Sequence, residues 1–66
     1  MDVTVNGVRT EVRPGARVES LVAGLGVGPT GSAVAVNGEV VPRGAWDRVE
    51  LAPGDAVEVL TAVQGG

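Results

Sequence analysis

The sequence predicts an α+β domain: a mixed sheet of four to five strands with one helix packed on one face. Two features predict it. Asn-Gly occurs twice, at Asn6-Gly7 and Asn37-Gly38, each time beside Val-rich segments. Between them, Val18, Leu21, Val22 and Leu25 fall at i, i+3, i+4 and i+7. Asn-Gly is preferred in two-residue hairpin turns because both central residues need φ > 0. The i, i+3, i+4, i+7 spacing marks one face of an amphipathic helix. A half-apolar helix of that size must cover a sheet to be stable.

The elements follow in order. Val3 and Val5 alternate with Asp2 and Thr4 and read as a half-buried strand. After Asn6-Gly7, Val8, Thr10 and Val12 alternate with Arg9 and Glu11 and form the return strand. Pro14-Gly15 breaks it, and a helix of two to three turns follows. Its start is weak, because Arg17 stands where Ser, Thr, Asp or Asn is expected. Gly24 and Gly26 are positioned to end it.

Residues 26–32 (GVGPTGS) form a glycine-rich connector. The spacing fits neither nucleotide-binding glycine pattern and no Lys follows, so a mobile loop is expected rather than a phosphate cradle. Ala33 to Val36 is a strand of small residues, and Asn37-Gly38 turns it back through Val40 and Val41 to a stop at Pro42. Arg43 to Trp46 is a turn or 3₁₀ piece, and Trp46 is expected to pack at the sheet edge. Val49 and Leu51 around Glu50 read as another short strand. Ala52-Pro53-Gly54-Asp55 is a turn, and Val57, Val59 and then Thr61 and Val63 alternate in a last strand. Hairpin, helix and a second set of strands make the β-grasp arrangement. One domain over residues 1–62 is expected, with 63–66 a flexible tail ending in Gly65-Gly66.

Composition narrows the function. Among 66 residues there are no Cys, His, Tyr or Phe. That removes a His or Cys metal site, a Cys nucleophile, a Ser-His-Asp triad and disulfides. The net charge is −3, and the five basic residues, all Arg, are scattered among acids. No basic stripe or stacking platform favours nucleic acid. No apolar run approaches a membrane span. A cytoplasmic protein is the expectation.

Two surface residues are docking candidates. With Val57 and Val59 facing the helix, Leu60 points to the other face, among Thr4 and Glu58. An exposed Leu there suits a partner, although single exposed leucines are ordinary. Arg43 reads as a solvated turn residue or a salt contact to a partner. The terminal Gly65-Gly66 is a frayed end or a functional one.

The chain resembles the ubiquitin-like sulfur carriers, most closely the sulfur-carrier family of bacterial thiamine biosynthesis. The resemblance rests on Val3-Thr4-Val5-Asn6-Gly7, the helix pattern Gly15, Val18, Leu21 and Val22, and the run from Ala33 through Asn37-Gly38-Glu39-Val40-Val41-Pro42-Arg43 to Trp46. Leu51, Pro53-Gly54-Asp55 and Gly65-Gly66 complete it, so it covers essentially the whole chain. Arg17 departs from the Thr common in the family, which touches a helix cap and not the function.

The resemblance implies a carrier, not an enzyme, with no permanently bound cofactor. An E1-like adenylyltransferase would use ATP and magnesium to adenylate the carboxylate of Gly66. A sulfur-donor enzyme would convert the acyl-adenylate to a thiocarboxylate, and thiazole synthase would receive the sulfur. Adenylation supplies the leaving group that a carboxylate lacks, dividing a hard step into two easier ones. Gly65 and Gly66 lack Cβ, which lets the tail thread a narrow channel, with Gln64 and Val63 as recognition contacts. Other readings within reach are a sulfur carrier of another pathway (molybdopterin, cysteine or a specialised sulfur metabolite), a ubiquitin-like protein modifier, or an interaction domain with a frayed tail.

Overall fold

The computed structural model describes residues 1–26 and 31–61. Five strands form one sheet: β1 (Asp2–Val5), β2 (Val8–Glu11), β3 (Ser32–Val36), β4 (Glu39–Val41) and β5 (Ala56–Thr61). One helix, α1 (Val18–Gly24), and a 3₁₀ turn (Arg43–Ala45) complete the chain. The strand order is β2-β1-β5-β3-β4. The β1–β5 pair is parallel and the rest are antiparallel, so the sheet is mixed as expected.

Both Asn-Gly turns form as predicted. Asn6 and Asn37 take φ of 50° and 52°, and the glycines after them 82° and 83°. The β1–β2 hairpin aligns Val3 with Thr10 and Val5 with Val8. Alternation along each strand therefore sends Val3, Val5, Val34, Val41, Val57 and Val59 to one face, where all are buried. Helix α1 covers that face with Val18, Leu21 and Val22, all buried. Trp46 and Leu51 fill the same core. The Trp46 indole N–H donates to the Val41 carbonyl at 3.0 Å, so its polar atom is satisfied inside the core.

Several local readings need correction. The helix has two turns, within the expected length, but Leu25 caps it rather than packing under it. Gly26 follows at φ +76°, which stops the helix and leaves Leu25 44% exposed. Val49 to Leu51 is not a sheet strand. Its backbone is taken up by the chain at the helix start: Val18 N–H donates to Val49 O at 3.0 Å, and Leu51 N–H to Ala16 O at 2.8 Å. Only the single bridge Arg17–Glu50 has strand geometry there. Strand β2 ends at Glu11, although Val12 and Met1 still exchange bonds at 2.8 Å. Val8 lies on the edge strand, past the reach of α1, and is 65% exposed.

The weak helix start has a local remedy. The Arg17 N–H donates to Ser20 Oγ at 2.9 Å, so a hydroxyl inside the first turn caps the residue before it. The Arg17 guanidinium reaches back to the Asp47 carbonyl at 3.1 Å. Four expectations for the connector and the tail concern residues outside the described ones: positions 27–30 of the glycine-rich segment, the Val63 end of the last strand, the boundary at 62, and the tail 63–66.

Leu21 is 7% exposed at the centre of the helix face. Leu21→Ala is expected to destabilise the domain by about 2–5 kcal/mol. A urea titration followed by the fluorescence of buried Trp46 measures it, and a midpoint equal to that of the parent chain contradicts this packing.

Candidate functional site: strand β5 and the open sheet face

Strand β5 is central and runs toward the predicted reactive terminus. Its even residues, Ala56, Glu58 and Leu60, point away from the helix. Register places Leu60 opposite Ala33 and Glu58 opposite Ala35, with Ala35 opposite Val40 on β4. Leu60 and Val40, 69% and 70% exposed, therefore stand on one face with only alanines of β3 between them. Glu58, which makes no ion pair among the described residues, borders this patch. Toward the β2 edge the face turns polar, with Thr4 and the Arg9–Asp2 ion pair at 2.7 Å.

Leu60 thus lies where the alternation placed it, on the helix-free face with Thr4 and Glu58. Arg43 lies elsewhere. It sits on the 3₁₀ turn with its guanidinium 5.3 Å from the centre of the Trp46 ring, a cation–π distance. The sheet unites Leu60 with Val40, which was not singled out from sequence. The signal was present: Val41 is the inward residue of β4, so its neighbour Val40 must face out. Gly66, Gly65, Gln64 and Val63 lie outside the described residues.

An open groove of about 480 Å³ runs between the end of β2 and α1, walled by Val12, Pro14, Leu21 and Leu25. It lies on the helix side of the sheet, and no described residue of β5 lines it. Among the described residues, no three acidic, His or Cys side chains converge as metal ligands. No helix among them is long and apolar enough to cross a membrane.

A two-turn helix on a five-stranded mixed sheet of order β2-β1-β5-β3-β4 defines a β-grasp domain. The ThiS family model matches residues 3–66. The chain belongs to the ThiS family. Two solved structures of a thiamine biosynthesis protein from Geobacter metallireducens have the same fold. The crystal structure is 38% identical with a TM-score of 0.83, covering all of both chains. The solution structure is 38% identical with a TM-score of 0.85, covering all of this chain and 88% of the other. A thiazole synthase from Magnetococcus marinus is 36% identical over 66 residues. All of this chain is covered, but it spans only 20% of that relative's length.

The patch makes no contribution to the core, so its substitutions should leave stability almost unchanged. Leu60→Ser and Val40→Ser are each expected within about 0.5 kcal/mol of the parent chain by denaturant titration. A loss comparable to that of Leu21→Ala means the face is covered from within the chain.

Proposed function

We propose that this chain carries sulfur on the terminal carboxyl of Gly66 and delivers it to thiazole formation in thiamine biosynthesis. The observation that carries the reading is the similarity of the whole chain to one fifth of a thiazole synthase. The family match running through Gly66 supports it. In this reading an E1-like adenylyltransferase joins the Gly66 carboxylate to the AMP part of ATP, with magnesium, and pyrophosphate leaves. A sulfur-donor enzyme then supplies the sulfur that displaces AMP. Thiazole synthase takes the sulfur and returns a carboxylate. A cytoplasmic location belongs to the same reading, because the activation consumes ATP.

The residues have separate tasks. The globular face around Leu60 and Val40 supplies docking energy, since an apolar patch gains by leaving water. Gly65 and Gly66 pass through a channel too narrow for Cβ, with Gln64 and Val63 recognised at its mouth. Arg43, held over Trp46, is a secondary contact at the rim. Ordering a tail costs affinity, so most of the binding free energy must come from the folded face.

Intact mass after incubation with the adenylating enzyme, ATP and sulfide tests the chemistry, through replacement of one oxygen by sulfur. Deleting Gly66 withdraws the reacting carbon by up to about 3.6 Å, and thiocarboxylate formation is expected to slow about a hundredfold. Gly65→Ala should slow it as well. A Gly66 deletion that reacts as fast as the intact chain overturns the reading, and high-mass lysine conjugates identify a protein modifier instead.

Docking is tested separately with Leu60→Glu. It is expected to raise the KM for the carrier roughly tenfold or more while kcat holds, because burying a Leu side chain contributes about 1.5–3 kcal/mol. An unchanged KM removes the open face from the interface.

A further inference from the structure

The two Asn-Gly turns have nearly the same backbone but hold their asparagine side chains differently. Asn6 and Asn37 differ by 2° in φ (50° and 52°), and their glycines by 1° (82° and 83°). Both asparagine side chains reach across to β5. The Asn6 amide bonds a backbone peptide: Nδ2 donates to the Val59 carbonyl at 3.0 Å, and the Val59 N–H donates to Oδ1 at 2.9 Å, both partly buried. The Asn37 amide accepts from the Ala56 N–H at 2.9 Å, but its Nδ2 donates to an exposed side chain, Asp55 Oδ1, at 3.0 Å.

Asn-Gly is also the dipeptide most open to self-modification, because glycine leaves the following amide nitrogen unshielded. The Gly7 nitrogen attacks Cγ of Asn6, the N–Cγ bond forms, the Cγ–Nδ2 bond breaks, and ammonia leaves with the proton from Gly7. Water then opens the imide at either carbonyl, giving aspartate or a β-linked isoaspartate. The reaction requires Cγ to rotate out of its hydrogen bonds and toward Gly7.

We propose that Asn6-Gly7 is a latent self-modification site guarded by strand β5, and that its conversion irreversibly releases that strand. While Oδ1 and Nδ2 are both held by Val59, Cγ cannot turn to Gly7. When β5 opens from β1, the guard is lost. The product carboxylate has no donor for the Val59 carbonyl and sets oxygen against oxygen there, so the closed pairing does not re-form. The strand so released is the one that leads to Gly66. Asn37 is the less guarded counterpart in the same chain: its Oδ1 is held by the Ala56 N–H, but its Nδ2 is freed by rotation of one exposed carboxylate. This inference does not depend on the carrier reading.

The test is a time course of the full chain at mildly alkaline pH, with peptide mapping of aspartate and isoaspartate at both sites, in buffer and in concentrated urea. In urea the two sites should react at similar rates. In buffer Asn6 should react about tenfold or more slowly than Asn37, as expected for a side chain whose two hydrogen bonds both go to the backbone of β5, where Asn37 has one such bond and one to an exposed carboxylate. Equal native rates at the two sites, or a native Asn6 rate equal to that in urea, overturn the guard. Asn6→Asp, made directly, tests the consequence by hydrogen exchange. The Val59 amide should exchange at least about tenfold faster than in the parent chain, while Val34, on the far side of β5, changes less. Unchanged protection at Val59 overturns the release of the strand. If the variant does not fold, the comparison of Asn6 and Asn37 in the parent chain still decides the guard.

Discussion

A strand in the middle of a sheet has polar backbone groups on both edges, and each needs a partner when water is excluded. Strand β5 meets that demand unequally on its two sides. Toward β3 the ladder runs its full width, from Val36–Val57 to Ser32–Thr61. Toward β1 it covers two register pairs, Thr4–Ala56 and Val5–Val57, because β1 then turns away into its hairpin. The Asn6 backbone N–H takes the Val57 carbonyl at 2.8 Å, and its side chain takes both groups of Val59. A side-chain amide thus stands in for the strand residue that the turn removed. Asn37 does the matching task at the start of β5.

The rest of the molecule depends on that alignment. With β5 in register, Val57 and Val59 meet the helix and Leu60 faces the other way. A shift of one residue would exchange these sets. The core they join is built from Val, two Leu and one Trp, and the fully buried side chains are Val3, Val18, Val34 and Val57. So thin a core depends on every layer. A two-turn helix is too short to be stable by propensity and holds its shape through the face it buries. The Val49–Leu51 segment, bonded to the chain on either side of Arg17, ties the helix start to the core through buried Leu51.

The division of labour suits a carrier. The helix side is spent on stability, and the Leu60–Val40 face contributes nothing to the core. In the proposed reading the reactive group is the chain's own end, and such a carrier needs a rigid body to be recognised and an end that a partner can reach. In the proposed reading, β5 joins the two, since the strand that bears Leu60 continues toward Gly66.

Turns and periodicities were legible in the sequence because they are local. Asn-Gly needs only its own φ angles, and alternating valines declare their face wherever the strand lies. The β-grasp order and the outward direction of Leu60 followed from that, and the resemblance to a sulfur-carrier family was carried by short runs around those turns. Spacing alone misread Leu25, because a period continues on paper past the point where Gly26 ends the helix. It misread Val49–Leu51, because alternation does not say which backbone a segment will pair with. Val40 joined Leu60 only when register set both beside the alanines of β3. The bond from Asn6 to Val59 spans 53 positions and leaves no periodic trace. Such choices belong to the tertiary structure, because a hydrogen bond between distant segments is selected by the closure of the whole sheet and not by the residues on either side of it.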